Sequence, residues 1–354
     1  MAIGVNTGST LSASQIRDEF GASASNNSVS LGNYRLTQNV GELSLPLDEG
    51  VPTSGAIKMS DFSRKSLNVV VNVHSGGVEY GVNAKTKYNN NQVTVICPTV
   101  SGLPTRGKKI SGSKIIIHCD KKLGAIQTPD HNTPQTKCAL RTGTWGGSGN
   151  PTHVHVILGG EGNVRGSGGK GGDGKSNNNG SAQAGAPGSS GLGIEHEGTL
   201  ITLKSGSQIV RGSGGGGGGG HATETSKVTR HASGGGGGGG AGFPAATGGE
   251  QGTHGSNGAH GETASETAGG EGGNGGNNDG EAIGGRGGNG GSVNGGAGDG
   301  AGGASGNGRG EGESEGGAGG EGGAAIRKSN SNTIFHIISN SGTITGDTDR
   351  TGVS

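Results

Sequence analysis

A chain of 354 residues that is 26% hydrophobic, 2% aromatic and carries 88 glycines cannot fold around one conventional core, because burial at ~25 cal/mol per Å² must offset about 1–2 kcal/mol per ordered residue. The formal net charge is zero, but residues 64–175 hold 15 Lys and Arg against 5 Asp and Glu, and 244–325 hold 2 against 11. No dominant basic face interleaved with aromatics emerges, which argues against general nucleic-acid binding.

An odd, low count of three cysteines (Cys97, Cys119, Cys138) does not suit a disulfide-stapled scaffold. The start lacks the charged and apolar regions of a signal peptide, and no apolar run approaches the ~20 residues of a membrane span. The expectation is a soluble chain made in the cytoplasm.

Residues 1–65 form one compositional unit. "LSASQIRDEFG" predicts a short helix with Ser12 as N-cap, Gln15 completing a capping box and Gly21 at the C′ position. "VSLGNYR" (29–35) and "IKMSDFSR" (57–64) echo each other, each placing an aromatic and then an Arg after spaced apolar residues. So few apolar residues do not build a free-standing core, so this unit is expected to fold onto a partner or onto copies of itself.

Residues 66–158 read as a β-strand domain. "LNVVVNV", "QVTVI", "KIIIHC", "KCALRTGTW" and "THVHVIL" are short and β-branched, with turn residues between them. A repeat follows. "HVHVILGGEGNVRGSGG" and "LITLKSGSQIVRGSGG" share a strand, a turn, a second strand and the same glycine exit; "IFHIISNSGTITGD" keeps the shape without the glycines, and "KIIIHCDKKLGAI" is a fainter copy. These read as short β-hairpins or solenoid rungs framing the glycine region, with 326–354 as a closing hairpin.

Residues 159–325 are the glycine-rich segment. Glu271, Asn274 and Asn277 are three apart, as are Arg286, Asn289 and Ser292, and Ala318, Glu321 and Ala324. Two glycines and one other residue per turn fit a polyproline-II-type helix at ~3.1 Å rise. Nine prolines are too few for collagen. Such rods bond to each other through their backbones, since this helix has no internal bonds and buried backbone groups must be paired. The third position faces outward. The tract "GGGGGGGHATETSKVTRHASGGGGGGG" (214–240) then reads as two matched rods displaying an insert at their ends. Residues 243–268, 277–283 and 304–315 read as further displayed turns, the usual place for recognition on a rigid scaffold. The fold class expected is mainly β and irregular: an N-terminal module, a β-strand domain and a polyglycine-II bundle framed by hairpins.

The glycine tracts 212–220 and 234–240, the GGX stretches 269–276 and 284–291 and the inserts between them resemble the distal tail-fibre adhesins of T-even-type bacteriophages. The resemblance implies a polyglycine-II bundle with receptor-binding loops at its tip. Residues 10–65 resemble an N-terminal module of marine phage virion proteins, which implies attachment to other tail or baseplate proteins. On this reading the chain is a virion protein, a fibre or fibre-tip adhesin for a host polysaccharide or outer-membrane protein. The alternatives are a baseplate, collar or fibre spacer without receptor contact, and, more remotely, an ice-binding protein. Unlike the adhesins, this chain carries its own N-terminal module and β-domain.

The candidate recognition residues are His221, Thr223, Glu224, Lys227, Arg230 and His231 in the first insert, then Phe243, His254, His260, Asp279, Glu281 and Arg309. His153 and His155 share a strand face, and three copies around a trimer axis would place six imidazoles on an octahedral metal; no other cofactor is expected. Cys119, Cys138, His118 and His131 fit no standard zinc spacing. "GSGGKGGDGKS" (166–176) lacks P-loop spacing, and G-x-S-x-G and H-E-x-x-H are both missing, so no enzyme is expected.

Overall fold

The computed structural model describes residues 11–21, 30–73, 77–96, 112–126, 135–145, 151, 153–177, 179–225, 228–294, 300–308 and 313–354. The fold is mainly β. Its backbone is a coil of five rungs with three faces. The rungs are Asn68–Asn72, Glu79–Tyr80 and Val82–Asn83; Lys114–Cys119, Lys122–Gly124 and Cys138–Arg141; His153–Leu158, Asn163–Arg165 and Ser190–Ile194; Thr199–Leu203, Gln208–Val210 and Ile326–Lys328; and Phe335–Asn340, Thr343–Thr345 and Arg350–Thr351. Each rung gives one strand to each of three sheets, and equivalent strands of successive rungs pair in parallel.

The hairpin reading is thereby corrected. Strands 153–158 and 163–165 do not pair with each other; they bend into different sheets and pair with the rungs before and after. Period-2 alternation is the same for both arrangements. What separates them is that alternate residues here stack on their counterparts one rung away. Val71, Ile117, Val156 and Ile201 form one fully buried column, Leu123, Val164 and Ile209 a second, and Val82, Leu140, Leu192 and Ile326 a third. The "closing hairpin" likewise resolves into the third strand of rung four followed by rung five. The boundary at 158 falls inside rung three.

The N-terminal segment closes the first rungs. Ser12 caps helix Ala13–Phe20, its capping box with Gln15 is formed, and Gly21 ends it at φ 92°. The two echoed motifs form single turns at Leu31–Tyr34 and Met59–Phe62, and their rings meet edge to face at 5.5 Å. Phe20 completes the aromatic group, and all three rings join the rungs in one hydrophobic core. This segment finds its core on the chain's own solenoid, so its folding does not require a partner to supply one. Asp48, fully buried, fixes the join by accepting from the Ser66 amide at 2.6 Å and pairing with Lys114 at 2.9 Å.

The glycine segments are insertions at one corner, between the second and third faces. Residues 166–189 leave and return within rung three, and 211–325 leave and return within rung four. The repeated "VRGSGG" marks the two exits. Insertions of a repeat architecture gather on one side in this way. In chain order the rods are 166–175, 181–189, 211–220, 233–241, 244–252, 258–264, 268–276, 284–292, 300–306 and 314–324, numbered 1 to 10 below. They run alternately away from and back toward the solenoid. Residues 243–268, expected as one displayed loop, supply rods 5 and 6, since an inward glycine every third residue already suffices for packing.

Inter-rod bonds recur every third residue: the amides of Gly166, Gly169, Gly172 and Lys175 donate to the carbonyls of Val210, Ser213, Gly216 and Gly219 at 2.8–2.9 Å. Rod 3 donates to rods 2, 4 and 9 and accepts from rods 1, 8 and 10. Rod 4 donates to rods 1, 6 and 8 and accepts from rods 3, 5 and 7. These two rods, surrounded by six neighbours each, carry the two seven-glycine runs. With a neighbour in every direction no position has room for a side chain. Rod 8 has neighbours on four sides and reads GGX, with Arg286 and Asn289 exposed. Glu271, Asn274, Ala318 and Glu321 face outward as their spacing predicts, whereas Ala324 is buried where rod 10 rejoins the solenoid.

Candidate functional site

Because the rods alternate in direction, their turns gather at two ends. The described residues among 176–180, 221–233, 253–257, 277–283 and 307–313 belong to the end away from the solenoid. This tip has local order of its own. Ala222–Glu224 and Arg230–Ala232 form an antiparallel hairpin, and Asn277–Asn278, Ala282–Ile283 and Asn307–Gly308 form a small sheet. Ala222, Ala232 and Ala282 are fully buried between them, small enough to plug the end of a bundle without spreading it. Isolated bridges tie Ala222 to Glu313 and Ala232 to Ser256.

The polar side chains of separate turns meet here. Arg230 pairs with Glu281 and lies 3.6 Å from Asp279, which fixes the hairpin to the 277–283 turn. The Asn278 amide donates to the His231 carbonyl at 3.4 Å. Ser233 Oγ accepts from the His254 amide and donates to the His254 carbonyl, both at 2.7 Å. Thr223 and Glu224 are buried in the hairpin, and Val228 is exposed at its end.

His221, His231 and His254 come from the end of rod 3, the returning hairpin strand and the 253–257 turn. Their rings stack with centroids 4.2–5.7 Å apart and interplanar angles of 19–34°. Each offers a nitrogen within 4.8 Å of the others. Burial, then the two neighbouring imidazoles, push the His221 ring down to about 4, so it is neutral at pH 7. Among the described residues this is the one group of three or more His, Cys, Asp or Glu side chains close enough to share a metal ion.

No protein-family model, no curated protein and no solved structure matches the chain.

The other sequence candidates separate. Phe243 is not displayed: it lies at the solenoid end, stacked on Tyr80 at 5.8 Å with Lys122 Nζ 3.9 Å from its ring centre, so it anchors the base of the bundle. The base is further held by Glu266, which pairs with Lys122 and, at 3.3 Å, with Arg165. His260 is exposed on the flank of rod 6 and accepts from the Gln251 amide at 3.4 Å. Lys227 and Arg309 lie outside the described residues, as do Cys97 and His131.

His153 and His155 sit on the outer side of the first face, beside Lys114 and Glu49, in a shallow cavity partly roofed by Leu45. His155 shares a hydrogen bond of 2.9 Å with Thr202, and burial lowers its pKa. The two buried thiols are separate as well: Cys119 donates to the Lys121 carbonyl at 3.1 Å and Cys138 lies 3.6 Å from the Thr136 carbonyl. Burial pushes both up to about 12, which keeps them as inert thiols.

The convergence of three histidines had no local signature. Two rods and about thirty residues separate the first from the last, and only the alternation of rod direction brings them to one place.

Proposed function

We propose that the chain is a tail-fibre or fibre-tip adhesin of a bacteriophage virion. It binds a host surface polysaccharide or outer-membrane protein through the loops at the bundle tip. The rods are read as polyglycine-II helices, which hold the tip some 28 Å from the solenoid if nine residues rise by ~3.1 Å each. The observation that carries this reading is the sorting of the turns. The five at the far end hold most of the bundle's chemically varied, non-repeating residues, while those at the near end, Phe243 and Glu266, are used for anchoring. A rigid scaffold that presents several irregular loops at one end is built for recognition. Arg230, Asn277, Asn278, Asp279 and Glu281 mix donors and acceptors suited to a polyhydroxylated ligand. Within the virion the N-terminal segment and the solenoid are the parts free to join other tail proteins.

The test is adsorption. In the full-length chain, residues 223–231 are replaced by a Gly-Ser loop, keeping Ala222 and Ala232 as the plug. Binding to host cells is expected to fall about tenfold or more, as loss of ~1.4 kcal/mol requires, with an unchanged circular dichroism spectrum. Unchanged binding by this variant and by a matching replacement of 277–282 would move recognition away from these loops, and no binding by the parent chain would favour a fibre spacer without receptor contact.

A further inference from the structure

We propose that His221, His231 and His254 form a binding site for a divalent transition metal of the zinc class at the tip of the bundle. This stands independently of whether the tip binds a host surface. Three separate segments deliver one imidazole nitrogen each into a space where all lie within 4.8 Å of one another. Tetrahedral zinc holds its ligand nitrogens at 2.0–2.1 Å, hence roughly 3.4 Å apart. The rings are stacked, so coordination requires His231 and His254, the less buried members, to turn out of the stack until their nitrogens point at a common centre.

The protonation pattern suits a ligand set. His254 Nδ1 lies 3.1 Å from the Ser176 carbonyl, which only accepts, so Nδ1 carries the proton and Nε2 keeps its lone pair. His231 Nδ1 is held by Thr223 Oγ1 at 3.1 Å, which leaves its Nε2 available as a ligand. Fixing one ring nitrogen on a protein oxygen while the other faces the ion is the usual support for metal-bound histidine. His221 is buried, 1% exposed, where rod 3 ends. Three imidazoles without a carboxylate among the ligands select zinc, nickel or copper over magnesium or calcium, which prefer oxygen. Metal bound here would staple the end of rod 3, the hairpin and the 253–257 turn together.

The experiment uses the untagged full-length chain, stripped with chelator and titrated calorimetrically with zinc chloride. One saturable equivalent per chain is expected, with a rise in thermal midpoint, and magnesium chloride is expected to give neither. His254→Ala and His231→Ala each weaken zinc binding by about 10–100-fold, while His260→Ala, on the flank of rod 6, leaves it unchanged. Retention of the tight equivalent in both tip variants, or no saturable binding by the parent chain, would overturn the assignment. Zinc bound by the parent chain with no host-cell adsorption would leave the metal site standing and count against the adhesin reading alone.

Discussion

Gly217→Ala, a single added methyl group, is expected to destabilise the protein by about 3 kcal/mol or more. Overpacking costs typically 1–3 kcal/mol and each lost inter-rod hydrogen bond about 1. The direction is not set by backbone conformation. An extended rod is open to alanine, and at a roomy site the substitution would stabilise by about 0.4–1 kcal/mol through the unfolded chain. Space decides the sign. A Cβ at Gly217 would sit 1.9 Å from the Gly317 carbonyl oxygen, and one at Gly237 would sit 2.1 Å from that of Gly216. Both contacts are with backbone, which does not swing aside like a side chain. Rod 3 can yield only by moving away from rod 10 and toward five other neighbours. Ala318→Ser, at an exposed third position on rod 10, is expected to fall within about 0.5 kcal/mol of the parent. Thermal denaturation of the three proteins measures the difference. A Gly217→Ala protein as stable as Ala318→Ser would mean that the seven-glycine runs are not at the centre of six neighbours.

The second large effect concerns which part supports which. Removing residues 168–188 and 213–322, with a short Gly-Asn linker across each gap, is expected to leave a folded five-rung solenoid. The cut ends are adjacent: the Ser189 amide donates to the Ser167 carbonyl at 3.0 Å, and the Gly323 amide to the Gly212 carbonyl at 2.8 Å. The main hydrophobic core draws on the N-terminal segment and the rungs and takes nothing from the removed residues. Removal cuts the Phe243 stack and the Glu266 ion pairs, and it uncovers Arg165, which the bundle base buries. Trp145 provides the readout. It is buried against Tyr88, and its indole N–H donates to the Thr142 carbonyl at 2.9 Å. Its emission should stay blue-shifted and be lost in one cooperative transition with the β-sheet signal. An excised chain that is unfolded under all conditions would show that the rods brace the solenoid and are not inserts upon it.

What the sequence made legible was local or strictly periodic. Ser12, Gln15 and Gly21 specify the helix because a cap acts within one turn. Spacing by three marks Glu271, Asn274, Arg286 and Asn289 as outward because an extended rod repeats every three residues. The duplicated "VRGSGG" marks a structural equivalence, the same corner of two successive rungs. Pairing partners were not legible. Gly193 pairs with Arg327 across more than 130 intervening residues, and alternation within a strand says which face is buried but not against what. The same ignorance let 153–165 read as a hairpin and let the bundle read as a domain following the β region. At the site, composition pointed to 221–233, Asp279 and Glu281; the structure gathers the described ones at the far end of the bundle and buries His221, Thr223 and Glu224 there. Composition could not exclude Phe243, because an aromatic in a glycine-rich segment looks displayed until its partner, Tyr80, is seen beneath it. The histidine group depended on which ends of which rods lie together, which depends in turn on the number and direction of the rods.

The most direct measurement is amide hydrogen exchange across the two seven-glycine runs, read by mass spectrometry on overlapping peptides. Residues 214–220 and 234–240 lie in no α-helix or sheet, yet the amides of 215–220 and 234–240 donate to neighbouring rods, as Gly216 does to Gly238 and Gly237 to Gly172, both at 2.8 Å. The account predicts protection comparable with the inner solenoid strands 114–119 and 153–158, lost only with cooperative opening of the bundle. Exchange at the rate of an unstructured glycine peptide would contradict it, since the tract would then be a linker and the tip no more than a loose loop.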